Sequence, residues 1–479
     1  MRIETRRALA LGGICALAGF LADDVLVAVS AMVLCVGLWL VWTDDGMYVL
    51  PAAYAFHWME TSVGLFYRAL TGRETTAFYS SEYRPMVLIA LGSCLAIAIG
   101  IRIGLMLSKR GPDEESRPAF AFSLGALVTA YLVTISFEGS LNSIASSYPT
   151  IRQIIVTADT ARLGLLFLLL RRLVHPAPRW VWIAAIVTVE VGLGLTGFFA
   201  GFREPLVLAA LAFVEIFDRR NVRHWVAVSA AAACAVVLGM LWMAVRGDYR
   251  RNFVALDNFN ASRSARFQNI ESLTKEWLSG DRDAIWDSAD SLVDRMWTVY
   301  YPALAVSRVP RLIPHTNGAI LSEALVHIVT PRVLFPDKPN LPSDSDKVRL
   351  YSGVMVAGAE QDTTIAFGYA AEGYVDFGVP LMFLPLVVFG GALGWLYGLF
   401  RRLIMHRDLL VAFITVAFWL SLYLFERSWA MMLGVSLGMM IYLGIPVVLL
   451  DRVLLARAAR REFQMQPGMY SDEHASPIA

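Results

Sequence analysis

SEALVHIVTPRVLFPDKPN, residues 322–340, and EQDTTIAFGYAAEGYVDFGVP, residues 360–380, interrupt a chain otherwise built from long apolar runs. Pro331, Pro336 and Pro339 remove backbone donors and fix φ, so the first segment reads as an extended, turn-rich loop. Such a loop holds Arg332 and Lys338 at fixed positions. Charge, proline and a Gly378-to-Pro380 exit gather here while both flanks are greasy, so this region reads as the working end of a membrane protein.

Composition supports that class. Of 479 residues, 57% are hydrophobic and 17% charged, with mean hydropathy +0.56, against about 25% charged in a soluble globular protein. The net charge of +1 carries no information about partners, because in a membrane protein the placement of charges outweighs their sum. Cys15, Cys35, Cys94 and Cys234 lie in apolar runs without CxxC spacing, as small buried hydrophobes do. No repeat, P-loop, Rossmann glycine pattern or HExxH is present, which removes nucleotide-driven transport and zinc hydrolysis from the leading classes.

Spans of about 20 apolar residues are expected near 8–22, 25–43, 47–67, 86–107, 119–137, 152–170, 180–200, 204–217, 224–245, 378–400, 409–425 and 429–450, about twelve transmembrane helices in an all-α polytopic fold. The first is read as an uncleaved anchor, because Phe20 stands where a signal cleavage site needs a small residue. Basic residues alternate between loops: Lys109, Arg110 and Arg117, then Arg171, Arg172 and Arg179, then Arg219, Arg220 and Arg223, then Arg401, Arg402 and Arg407, and finally Arg452 to Arg461. The positive-inside rule puts these loops and both termini in the cytoplasm. The acidic loop TDDG, 43–46, is silent in that pattern.

The expected organisation is a bundle over 1–245, one large outer loop over 246–377, three spans over 378–450 and a cytoplasmic tail over 451–479. The outer loop holds 14 basic against 17 acidic side chains, which disfavours a nucleic-acid partner. Within it, Leu273, Trp277, Ile285, Trp286, Leu292, Met296 and Val299 follow helical spacing. They fit either amphipathic helices on the membrane face or the packing helices of a small cap.

Charged groups inside spans are costly and therefore informative. His57 and Glu60 share one helical face, Asp159 and Arg162 share another, and Glu190 needs a partner such as Arg162. These read as a buried ion-pair network or, in the alternative, as a proton or ion path. A second group stands where spans meet the outside: Arg203 and Glu204 in GFREP, Arg246, Arg250 and Arg251 in VRGDYRR, and Glu426 and Arg427 in FERSW. Arginines there run against the positive-inside tendency, and their planar forks match phosphate oxygens, so they point to a lipid-linked phosphate. Snorkelling, or pairing with the adjacent Glu204, Asp248 or Glu426, is the plainer explanation for each taken singly.

GFRE, VRGDYRR, PRVLFPDKP and AAEGYVDFGVP, with this topology, resemble the bacterial oligosaccharide repeat-unit polymerases (Wzy-type O-antigen or exopolysaccharide polymerases), which are related to O-antigen ligases. The paired R-x10-G motifs of some members are missing, since Arg308 meets Gly318 one residue short. The resemblance implies a GT-C-like glycosyltransferase architecture in a bacterial inner membrane. It implies transfer of a growing glycan from undecaprenyl diphosphate to a lipid-linked repeat unit on the outer face, without metal or other cofactor. Implied partners are the undecaprenyl-diphosphate-linked oligosaccharide, membrane lipids, a flippase and a chain-length regulator.

Such transfer needs positive charge on the departing diphosphate and a base for the acceptor hydroxyl. Arg203, Arg246, Arg250, Arg332, Lys338 and Arg427 are the candidates for the first task. Glu372, Glu360, His327 and His315 are those for the second, with Glu372 first because AAEGYVDFG puts it beside the outer end of a span. Glu372 equally fits a helix-capping or salt-bridged carboxylate. A ligase-like transferase and a secondary transporter are the alternatives, the latter depending on Asp159, Arg162 and Glu190.

Overall fold

The computed structural model describes residues 12–13, 24–108, 111, 117, 122–148, 151–175, 178–195, 203–254, 263–280, 282–330, 334–335, 337–358, 360 and 363–464. Arg332, most of the first expected span and the tail beyond Gln464 lie outside them. The described residues are helical and contain no strand. A first block runs through α1 (Val25–Val41), α2 (Val49–Thr71), α3 (Tyr83–Leu107), α4 (Leu124–Ser147), α5 (Arg152–Val174), α6 (Trp180–Leu195), α7 (Arg203–Val214) and α8 (Val222–Val254). Six shorter helices follow: α9 (Arg263–Leu278), α10 (Arg282–Met296), α11 (Tyr300–Arg308), α12 (Ala319–Val329), α13 (Asp344–Ser352) and α14 (Tyr369–Phe377). A second apolar block holds α15 (Phe383–Leu403), α16 (Arg407–Leu422), α17 (Trp429–Gly438) and α18 (Gly444–Gln464), the last two joined by a π turn at Met439–Leu443.

Among the described residues, four helical stretches are long and apolar enough to cross a membrane: Tyr83–Leu107, Val222–Asn252, Phe383–Leu403 and the continuous Trp429–Ala458. The chain is therefore a helical protein with the build of a membrane protein, and fewer of its helices meet that standard alone than the twelve expected. The reasons are local. α7 has 12 residues, about 18 Å of helix, short of the roughly 30 Å hydrocarbon layer. α2 and α5 have 23 residues each but carry His57 and Glu60, and Asp159, Arg162, Arg171 and Arg172. α16 has 16 residues, nearly all buried by other helices.

The two blocks are zipped together by α3 and α15. A Cβ at Gly104 would land on the Gly391 carbonyl, one at Gly390 on the Ile97 carbonyl and one at Gly394 on the Ile101 carbonyl. Small residues four apart let the two backbones touch, and in an apolar medium that contact replaces the missing hydrophobic drive between helices.

Charged loops then tie the bundle at each end. At one end Asp45 of the TDDG loop accepts from Thr43, from the Met47 N–H and from Tyr397, and lies 3.3 Å from Arg401. Arg117 donates to the carbonyls of Ile404 and Arg401, and Arg171 pairs with both Glu215 and Asp408. Asp451 accepts from the Met405 and His406 N–H groups. These are the loops grouped by their arginines, and TDDG, silent in that pattern, belongs with them because its carboxylate meets Arg401.

The other end carries the region of short helices. α11 to α14 enclose a separate core that includes Ala305, Val309, Val348, Phe367, Ala371 and Val375. Ile270 of α9 packs with Trp242 and Tyr249 of α8, and Leu292 of α10 lies over Gly239. Trp297, after α10, sits in a niche over Gly64 of α2 and donates to the Thr61 carbonyl at 2.9 Å. The faces of these helices that carry Ile270, Leu292 and Trp297 thus pack on protein, while Phe267, Leu278 and Ile285 stay exposed.

Candidate functional site

The turn Tyr423–Ser428, between α16 and α17, lies where almost every element of that end converges. His57 meets the Leu422 carbonyl through Nδ1 at 2.7 Å, and since a carbonyl only accepts, Nδ1 carries the proton and Nε2 takes the Tyr369 hydroxyl. Glu60, one turn further along α2, accepts from the Phe425 N–H at 2.6 Å, while its own carbonyl accepts from Thr298. The face shared by His57 and Glu60 thus fixes the turn from one side.

Arginines close round it. Arg203, the first residue of α7, donates to the Tyr423 hydroxyl at 2.9 Å and stacks on that ring, its Cζ 4.7 Å from the centroid. Arg427 stacks on Tyr423 as well, at 5.0 Å, and donates to the Leu420 carbonyl, while its buried Nε has no partner among the described residues. Arg295 of α10 grips Glu426 with two nitrogens, and that carboxylate holds the guanidinium above its usual pKa. Arg246 and Arg250, four apart on α8, lie within electrostatic range of Arg295. Arg246 is half-buried, has no ion-pair or hydrogen-bond partner among the described residues, and its charged neighbours Arg250 and Arg295 are cations.

Five arginines from four separated parts of the chain therefore share this end with carboxylates that include Glu60, Glu204 and Glu426, while Asp248 of α8 pairs with Arg251. Glu204 Oε1 accepts from Arg203 and from Tyr423, both at 3.2 Å, and its Oε2 has no hydrogen-bond partner among the described residues. Arg203, Arg246, Arg250 and Arg427 had been singled out in the sequence. Arg295 had not: it is one charge among many in a polar helix, and the docking of Trp297 two residues on carries it there.

The expected bases lie elsewhere or are already engaged. Glu372 is fully buried, with Oε1 accepting from Lys347 Nζ and Oε2 from the Trp429 N–H, both at 2.6 Å. Burial pushes its carboxyl above the usual range, with Lys347 opposing. Burial pulls the Lys347 ammonium down, and Glu372 with Asp344 more than reverses this, leaving it raised. Asp376, one turn on, accepts from the Ile320 and Leu321 N–H groups at the start of α12. The AAEGYVDFG motif thus supplies two buried carboxylates that each close the N-terminus of another helix, where N–H groups lack intrahelical partners.

Glu360 is exposed and pairs with Arg349, far in the chain from the arginine group and bonded to none of it. His327 lies near the C-terminus of α12, where its carbonyl accepts from Lys338 Nζ at 2.7 Å. Lys338 is therefore tied to α12. His315 is half-buried, its Nδ1 3.2 Å from the Val375 carbonyl, and lines a cavity of about 620 Å³ with Glu82, Arg311 and Tyr374. Glu190 does meet Arg162, at 2.8 Å. Among the described residues no three His, Cys, Asp or Glu side chains converge as metal ligands.

The chain belongs to the family described as a domain of unknown function, DUF8712, whose match covers residues 65–404. That span takes in α3 to α15 and every element of the arginine end except the α2 face and the Tyr423–Ser428 turn. No curated protein and no solved structure matches the chain.

Proposed function

We propose that this protein transfers a glycan from a polyprenyl-diphosphate carrier to a lipid-linked acceptor, as a membrane glycosyltransferase of the polymerase or ligase kind. The observation that carries the reading is Arg246, a half-buried cation whose charged neighbours are themselves cations. A buried positive group without an acid costs free energy unless an anion arrives. A diphosphate supplies one, and the planar forks of Arg203, Arg246, Arg250, Arg295 and Arg427 suit its oxygens.

In this reading the anomeric C–O bond to the diphosphate breaks as the guanidinium groups take up the developing charge. The acceptor oxygen bonds to the same carbon and its proton passes to Glu204 Oε2. Arg203 and Tyr423 hold the other oxygen of that carboxylate, fixing its direction. The bundle spans a bacterial inner membrane about twelve times, with the arginine end facing outwards. Ligation to a different lipid acceptor uses the same chemistry. The transporter alternative is less favoured, because Arg162 and Glu190 already satisfy each other.

The test is transfer by the purified protein, in lipid nanodiscs, from a polyprenyl-diphosphate-linked oligosaccharide. Wild type should build a product ladder or a single ligated product, and Arg246→Ala should lower the rate about 10²–10³-fold, as losing one donor to developing charge does. A folded Arg246→Ala that transfers at the wild-type rate would sink the assignment.

A further inference from the structure

The end opposite the arginine group holds a second cavity, of about 360 Å³, walled by the starts of α2, α4 and α16, the last turns of α5 and the chain just after α7. Its lining divides by chemistry. Phe122, Leu127 and Leu168 form an apolar side, and Arg171, Arg172 and Arg407 bring guanidinium groups to the other. Both carboxylates of the cavity are committed to Arg171, which meets Glu215 at 2.8 Å and also bonds Asp408. Glu215 is shared with His175 at 3.3 Å. Arg172, by contrast, is exposed and has no ion-pair or hydrogen-bond partner among the described residues. Arg172 therefore brings to the cavity a positive charge that neither of its carboxylates neutralises.

We propose that this cavity binds the phosphate head group of an anionic membrane lipid, with Arg172 and Arg407 on the phosphate and an acyl chain along Phe122, Leu127 and Leu168. Arginine forks match phosphate oxygens in two-pronged fashion. Basic pockets between helices at a membrane face are suited to anionic head groups, whose leaflet also supplies the chain that an apolar wall needs. The site is independent of the transfer reaction and of its arginines, so it can fail or stand without them.

The full-length protein is reconstituted into nanodiscs of phosphatidylcholine with increasing phosphatidylglycerol, and retained lipids are counted by native mass spectrometry alongside the melting temperature. Phosphatidylglycerol should be retained in preference to phosphatidylcholine and should raise the melting temperature. Arg172→Ala should weaken that retention about tenfold, the worth of one charge-assisted contact, with Arg172→Lys between the two and Arg407→Gln weakened likewise. Arg220→Ala, which removes an exposed arginine outside the cavity at the same end, should retain the lipid as wild type does. Equal retention of phosphatidylcholine, or an Arg172→Ala protein that folds and keeps the lipid, overturns the proposal. Glycerol phosphate protecting the protein as well as the lipid at equal concentration also overturns it, in favour of a soluble phosphate.

Discussion

Arg295 and Glu426 form a two-pronged ion pair across 131 residues of sequence, Nη1 to Oε2 at 2.5 Å and Nη2 to Oε1 at 2.8 Å. The pair fastens α10 to the turn that bears Arg427, so one contact sets the spacing of arginines from both blocks. Arg295→Lys keeps the charge but loses the fork. Its transfer rate should fall at least about tenfold, and that of Arg295→Ala about 10²–10³-fold, each at normal abundance by immunoblot. Full activity in Arg295→Ala would place the anion site nearer Arg203 and Arg427.

Glu372→Gln separates a structural carboxylate from a catalytic one. Lys347 would keep its burial and lose a charged partner, a change worth about 3–5 kcal/mol when a buried pair is broken. The expected outcome is a low melting temperature and poor accumulation. A variant that accumulates and melts as wild type yet transfers nothing would restore Glu372 as the base.

The glycine contact between α3 and α15 predicts a position-specific defect. Gly104→Val drives a branched side chain into the Gly391 carbonyl and should cost about 1–3 kcal/mol or more by overpacking, read as loss of folded protein in a detergent melt. Gly125→Ala and Gly192→Ala, where an added Cβ meets nothing within 4 Å, should accumulate normally.

Asp290 of α10 accepts from Tyr67 at 2.6 Å and from Arg73, whose hydrogen bond holds its carboxyl below the usual range. A depressed carboxylate contributes stability that is complete above its unfolded pKa, about 3.9, and lost as the pH falls through the folded value. The melting temperature of wild type should therefore drop below about pH 4. Asp290→Asn should lie lower at neutral pH and show a flatter acid limb, and identical acid limbs would remove this contact as the cause.

Reporter fusions at Lys109 and Asn340 should lie on opposite sides of the membrane, because in the sequence Lys109 stands with the basic loops and Asn340 in the large loop between the two apolar blocks. The same side for both would sink the proposed orientation and every outward-facing role with it.

Composition and spacing alone determined that this is a helical membrane protein with a polar insertion between two apolar blocks, because runs of about 20 apolar residues have few other stable states. The pairing of Glu190 with Arg162 was legible as well, since a carboxylate within a span needs a partner and few lie within reach. What each carboxylate does was decided by tertiary structure. Glu372 and Glu204 look alike in sequence, each beside a glycine-containing motif at the end of a span, but α17 brings its N-terminus to the first while the second keeps an oxygen without a partner. Arg295 joined the arginines only because Trp297 found its niche over Gly64, a contact between distant segments that no local pattern encodes. Residue type sets what a side chain can do at its own position, and the neighbours that long-range packing delivers settle which of those possibilities it takes.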